Sequence, residues 1–266
     1  MTARPVDLPD GARLAPSLEG RGRDVLLVSG LGGTAGFWGP ALPGLAGRFR
    51  VARFDQRGIG GSSRGEAACT IDRLAEDCLA VADALGLERP VLVGHSTGGA
   101  IGQALARMAP DRLGGLVLSA TWLRPSRYMT ALFQTRRRIL DLDPAAYAET
   151  GAILGYAPAW LEQHWATYEA ATAKPPATEA ARQVVRERID ALLAFDGSAD
   201  AASLALPTLV LGARDDTIVP AFLQEELAAA LPRPAVTLYP DGGHFFPVTR
   251  TEDFVRDVTR FADGIA

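Results

Sequence analysis

The sequence predicts an α/β protein: a mostly parallel, open sheet covered by helices on both faces, with a helical lid inserted late in the chain. Short apolar runs bounded by Gly or Pro recur along it, too short for helices and rich enough in Val and Leu to be buried on both faces. Helical patterns alternate with these runs, which implies parallel strands joined by crossover connections. The alternation stops between about residues 122 and 203, where a helical region broken by Pro144, Pro158 and the pair Pro175-Pro176 takes over.

Taken in order, residues 6–19, with Asp10-Gly11 in the middle, read as an antiparallel hairpin added at the sheet edge. Buried strands are expected at 24–30 (DVLLVSG), 50–55, 90–94, 115–119, 207–212 and 235–239. Helices are expected at 71–87, 98–108, 221–231 and 252–262. Residues 1–121 and 204–266 then form one core. Residues 122–203 form an all-helical lid over the strand ends, where ligands bind in open α/β sheets.

Composition narrows the function classes. With 266 residues, 48% of them hydrophobic, the chain suffices for one core of ordinary globular type. Its net charge of -4 is spread along the sequence, so neither nucleic acid nor a membrane surface is the expected partner. A small-molecule substrate is, with the chain acting as a monomer or homodimer. Residues 1–16 lack an apolar segment after a basic start, and no run approaches bilayer length, so a cytoplasmic location is expected. The only cysteines, Cys69 and Cys78, exclude a disulfide framework and a four-Cys zinc site, and both are expected to be buried, inert thiols. The chain has no Asn, which removes a Cys-His-Asn triad, and its histidines are His95, His164 and His244.

The sharpest motif is Gly94-His95-Ser96-Thr97-Gly98 between a predicted strand and helix. A serine exposed on so tight a turn needs glycine two residues to either side, because side chains there would strike the neighbouring strand and helix. A helix N-cap serine on a Gly-rich turn is the plainer alternative. A serine hydroxyl is a weak nucleophile without a base, and His244, after the last strand in Asp241-Gly242-Gly243-His244, can supply one. His95 is expected to point away from the site mouth, and His164 to be a packing or surface residue of the insertion. The acid that orients the base should follow the strand at 208–212; Asp216 is favoured by its spacing to Pro220, with Asp215 as the alternative. An oxyanion hole would draw on the amides of Thr97 and Leu31, with Gly30, Gly32 and Gly33 allowing close backbone approach. Trp122 and Arg124, entering the insertion, are candidate pocket residues, Arg124 as a partner for a substrate carboxylate, with a lid-surface arginine as the plainer and preferred reading. Phe133, Tyr156, Trp160 and Trp165 are expected to shape an apolar pocket. The chemistry calls for no metal and no organic cofactor.

Two rival readings stand beside this one. Gly30-Leu31-Gly32-Gly33-Thr34-Ala35 matches a relaxed dinucleotide-binding fingerprint, with Asp55 near the distance for a ribose contact. Against it, Phe37 and Trp38 crowd the place where a phosphate-cradling helix would start, and Ser96, Asp216 and His244 are left without a role. The other rival is a binding protein that keeps the fold without turnover.

The residues Ser29 to Gly33 (SGLGG) with Trp38, residues 54–60 (FDQRGIG), the Ser96 turn, Asp216 and His244 resemble the α/β-hydrolase superfamily along essentially the whole chain. Within it the chain is most similar to the RutD branch, pyrimidine-utilisation proteins assigned as aminoacrylate or carbamate hydrolases. That similarity rests also on TWLRPS at 121–126, ARDDTIVP at 213–220 and GGHFFPVT at 242–249. Many hydrolases of this fold carry His where Ser29 stands, although the branch shares the serine. Some branch members lack the elbow serine that this chain keeps as Ser96. The resemblance implies a serine hydrolase acting on a small acyl substrate, of aminoacrylate or carbamate type or, as in the related 3-oxoadipate enol-lactonases, an ester or lactone. A serine at the elbow argues against a haloalkane dehalogenase, which needs a carboxylate there.

Overall fold

The computed structural model describes residues 3–265. Eight strands form one sheet: β1 (Val6–Asp7), β2 (Arg13–Gly20), β3 (Asp24–Val28), β4 (Arg50–Asp55), β5 (Val91–His95), β6 (Gly115–Ser119), β7 (Thr208–Ala213) and β8 (Ala235–Tyr239). They lie in the order β1-β2-β4-β3-β5-β6-β7-β8. The first two are antiparallel, with Val6 opposite Leu14 and Ala15 opposite Asp55. The remaining pairings are parallel, with Val28 beside Gly94 and His95 beside Ser119. The edge hairpin and every expected strand are present.

Strands β3, β5, β6 and β7 are buried along their whole length, which explains why they read as continuous apolar runs. Alternate residues serve opposite faces. Leu26, Leu92, Leu116 and Val210 join one apolar cluster, whereas Val25, Val91, Val117 and Leu209 join the other. Helices α1 (Leu42–Ala46), α2 (Ile71–Ala84) and α3 (Thr97–Met108) occupy the first half of the chain. Five more, α4 (Arg127–Leu142), α5 (Pro144–Gly155), α6 (Pro158–Gln163), α7 (Trp165–Thr172) and α8 (Glu179–Ala194), run between β6 and β7 without an intervening strand. The chain closes with α9 (Ala221–Ala230), α10 (Phe246–Thr249) and α11 (Thr251–Asp263).

Local chemistry starts these helices where they start. Thr70, Ser126, Asp143 and Thr178 each accept a hydrogen bond from a first-turn amide of α2, α4, α5 and α8, satisfying donors that the helix cannot. Pro144 and Pro158 stand at the first position of α5 and α6, where proline's missing N–H costs nothing. Two of the prolines that punctuate this region therefore begin helices, while the pair Pro175-Pro176 lies in the connection before α8.

One buried ion cluster ties the hairpin to the sheet. Arg57 is 1% exposed and donates through Nε and Nη2 to both oxygens of Asp77 on α2 at 2.6 Å, and through Nη1 to Asp10 at 2.7 Å. Burial raises the Asp10 carboxyl, but hydrogen bonds from Arg57 and from the amides of Ala67 and Ala12 outweigh it and hold the group well below the usual carboxylate range. Cys78 is buried and Cys69 only partly so, a departure from the expectation that both are buried; burial raises both thiols. Among the described residues no helix is long and apolar enough to cross a membrane.

Removing one member of a buried pair strands the other charge. Asp77→Ala is expected to cost about 3–5 kcal/mol in urea unfolding. Arg124→Ala, which breaks the exposed pair with Glu226 at 3.0 Å, should change stability by less than about 1 kcal/mol.

Candidate active site

Strand β5 ends at His95, α3 begins at Thr97, and Ser96 between them holds φ 55° and ψ -120°. That backbone state is strained for a residue with a Cβ and lifts the side chain clear of both elements. It is possible because the turn is packed without side chains. A Cβ on Gly98 would stand 2.0 Å from the Val28 carbonyl oxygen, and one on Gly94 would stand 2.2 Å from the carbonyl oxygen of Gly98. The collisions expected from sequence are thus with strand β3 and with the start of α3.

His244 lies on the loop after β8 and is 3% exposed. Its Nδ1 is 2.8 Å from Asp216 Oδ2, while Asp216 Oδ1 accepts from the amides of Ile218 at 2.8 Å and Val219 at 2.9 Å. Asp216, the favoured acid, therefore meets the ring. Asp215 turns the other way and accepts from the amides of Gly242 and Gly243, bracing the loop that carries His244. Two adjacent carboxylates divide the work of holding the ring and holding its loop.

Ser96 and His244 open into one cavity of about 580 Å³. Among the described residues the Ser96 hydroxyl has no hydrogen-bond partner. The loop after β3 comes close to it: a Cβ on Gly30 would be 3.0 Å from Ser96 Cβ. Neither the Leu31 nor the Thr97 amide donates one of the backbone hydrogen bonds outside helices and strands among the described residues.

That loop is held by residues the sequence reading missed. Gln56 Nε2 donates to the Ser29 carbonyl at 2.7 Å. Arg188, reaching in from α8, donates to the carbonyls of Leu31 at 2.8 Å and Gly30 at 3.1 Å and to Gln56 Oε1 at 2.5 Å. Arg188 is 1% exposed and has no carboxylate partner, and burial lowers its pKa. Asp55, the ribose contact of the dinucleotide reading, instead accepts from the amides of Ala35 and Gly61, and residues 35–38 form a short 3-10 turn. No phosphate-cradling helix begins there. Among the described residues no group of three or more His, Cys, Asp or Glu is arranged to hold a metal ion.

Several pocket expectations need correction. Trp122 is fully buried in the core, with its carbonyl accepting from Gln103, and does not line the cavity. Arg124 lies on the surface, paired with Glu226. Tyr156, Trp160 and His164 stack on one another outside the cavity, and Trp165 is half-exposed. Phe133 does line it, joined by Phe37, Ile59, Arg136, Tyr147 and Phe245. His95 is buried, 1% exposed, with its ring 4.9 Å from that of His244 and Nδ1 3.0 Å from Ser119 Oγ. It stacks on Phe37 at 4.8 Å between ring centroids.

Burial, with the neighbouring His244, holds the His95 imidazole well below its ordinary value of 6.5. The folded chain thus keeps His95 neutral while the unfolded chain protonates it. Below about pH 6.5 unfolding takes up one extra proton at this position, and stability falls by up to about 1.4 kcal/mol per pH unit. His95→Gln is expected to flatten the acid limb of a stability profile measured by urea unfolding between pH 5 and pH 7, a range set by that ordinary value.

Known proteins share this architecture. The family model described as alpha/beta hydrolase fold matches residues 25–251. A relative from Caulobacter sp. (strain K31), named "Putative carbamate hydrolase RutD", is 39% identical over 244 residues, covering 91% of each chain. A hydrolase from Pseudomonas aeruginosa PA01 superimposes with a TM-score of 0.87 at 32% identity, over 98% of both chains. An enol-lactonase from Burkholderia xenovorans LB400 gives the same TM-score at 24% identity, over 95% of this chain and 97% of its own, and speaks for the fold alone. The chain belongs to the α/β-hydrolase family, and the RutD proteins are its relatives within it.

Proposed function

We propose that this hydrolase works through Ser96 as nucleophile, His244 as general base and Asp216 as the acid that orients it. The observation that carries the reading is the 2.8 Å bond from His244 Nδ1 to a buried Asp216, in a cavity that also presents Ser96 on a strained turn. With Nδ1 committed to the carboxylate, Nε2 is left to take the Ser96 proton as Oγ attacks the acyl carbon. The buried carboxylate then stabilises the imidazolium that forms. The amides of Leu31 and Thr97 receive the developing oxyanion, held there by Arg188 and Gln56 without reorganisation. His244 returns the proton to the leaving group, and water repeats the cycle on the acyl-enzyme.

The substrate in this reading is a small acyl compound, of aminoacrylate or carbamate type or an ester or lactone, in keeping with a 580 Å³ cavity and the names of the relatives. Residues 122–203 act as a lid: α4, α5 and the α7–α8 connection supply one wall, and α8 reaches through Arg188 to the oxyanion loop. Such a chain needs no partner beyond its substrate and acts as a monomer or homodimer in the cytoplasm.

Covalent labelling with a fluorophosphonate, mapped by mass spectrometry, tests the mechanism. Label is expected on Ser96 and should vanish in Ser96→Ala and His244→Ala, with ester turnover lowered on the order of a millionfold. Asp216→Asn should leave the fold intact and lower kcat by about ten-thousandfold. A folded native chain that takes no label would sink the covalent mechanism and favour a non-catalytic binding role.

A further inference from the structure

The cavity beside Ser96 has an uneven charge. Its lining includes Arg136 and Lys174 but no Asp or Glu. Lys174, the only lysine in the chain, is exposed on the α7–α8 connection at the rim. Arg136 is different, being 7% exposed and projecting from α4 into the interior. Its contacts are weak for so buried a cation. Nη2 is 3.4 Å from the Tyr147 carbonyl, Nη1 is 3.5 Å from Thr150 Oγ1, and the guanidinium lies 4.4 Å over the Tyr147 ring. Among the described residues no carboxylate forms an ion pair with it, although the structure pairs Arg57 with Asp77 and Arg186 with Asp141. The neighbouring helix leaves it room: a Cβ on Gly151 would stand 2.9 Å from Arg136 Nη2.

A buried guanidinium costs folding energy unless an anion meets it, and its planar fork suits a carboxylate. The geometry leaves this charge unmet on the protein side. We propose that Arg136 is the anchor for a substrate anion, and that the preferred substrates are acyl compounds carrying a second, ionised carboxylate. This rests on the serine-hydrolase reading of the same cavity. Arg136 binds the carboxylate that is not attacked, which fixes the acyl carbon against Ser96, and the Tyr147 ring keeps the guanidinium planar to the ligand. Lys174 adds a rim charge that attracts the anion on approach and is screened by salt.

Two esters of equal length decide the matter: monomethyl glutarate, which keeps a free carboxylate, and methyl pentanoate, which lacks one. The native enzyme should favour the former in kcat/KM by about ten- to a hundredfold, the range of a charge-assisted hydrogen bond. Arg136→Gln should abolish that preference, chiefly through KM. Arg136→Lys should restore part of it, and Lys174→Ala should cost less and only at low salt. Calorimetric titration with glutarate should give binding to the native chain that Arg136→Gln loses. Equal kcat/KM for the two esters, or a preference that survives in Arg136→Gln, overturns the proposal. If both esters fall together in Arg136→Gln with a lowered Tm, Arg136 only packs α4 on α5 and the proposal is likewise overturned. The fluorophosphonate experiment separates the two readings: label on Ser96 without an anion preference removes this inference alone. Glutarate binding that depends on Arg136 in a chain that takes no label keeps the anion site and removes the covalent mechanism.

Discussion

The contact on which the site depends is the approach of α3 to strand β3, close enough that a Cβ on Gly98 would overlap the Val28 carbonyl at 2.0 Å. That closeness lets the chain turn from β5 into α3 within one residue, and it is the reason Ser96 occupies a backbone state with φ 55°. Such a state is strained and persists only where the surroundings over-determine it. Here they do: Ser96 N donates to the Ser119 carbonyl at 2.7 Å, and β3, β5 and β6 on either side are buried throughout. The apolar strands therefore position Ser96 as well as filling the core.

The other parts of the site reach Ser96 from far along the chain. His244 is steadied twice, by Asp216 at its ring and by Asp215 at the backbone of its loop. The loop after β3 is steadied by Gln56 from the end of β4 and by Arg188 from α8. Arg188 joins the inserted helices to the sheet by hydrogen bonds to two carbonyls and a side-chain amide, with no carboxylate involved. A carbonyl that accepts from a cation makes the N–H of the same peptide a stronger donor. The Gly30 carbonyl and the Leu31 N–H share one peptide, so the bond that fixes the loop also sharpens its donor.

Glycine spacing around Ser96 and the Asp-to-Pro220 spacing were legible because they are local: they describe backbone constraints within a few residues. Trp122 was misplaced because the choice between core, surface and cavity is made by packing partners distant in sequence. Trp122 is covered from α3, where Gln103 donates to its carbonyl, and Arg124 finds Glu226 about a hundred residues on. The buried His95 packs against Phe37 and Ser119, from two other elements.

The sequence by itself determined the order of strands and helices, the hairpin at the edge and the tight serine turn, since each follows from short-range periodicity, glycine sterics or chain order. Only the tertiary structure decided which aspartate holds His244 and which arginines matter. In a chain so rich in arginine, residue type says nothing about pairing; Arg57 and Arg124 meet carboxylates, whereas Arg136 and Arg188 are buried without one. The physical reason is that the cost of a buried charge depends on what the fold brings within about 4 Å of it, and that distance is set by packing between segments far apart along the chain.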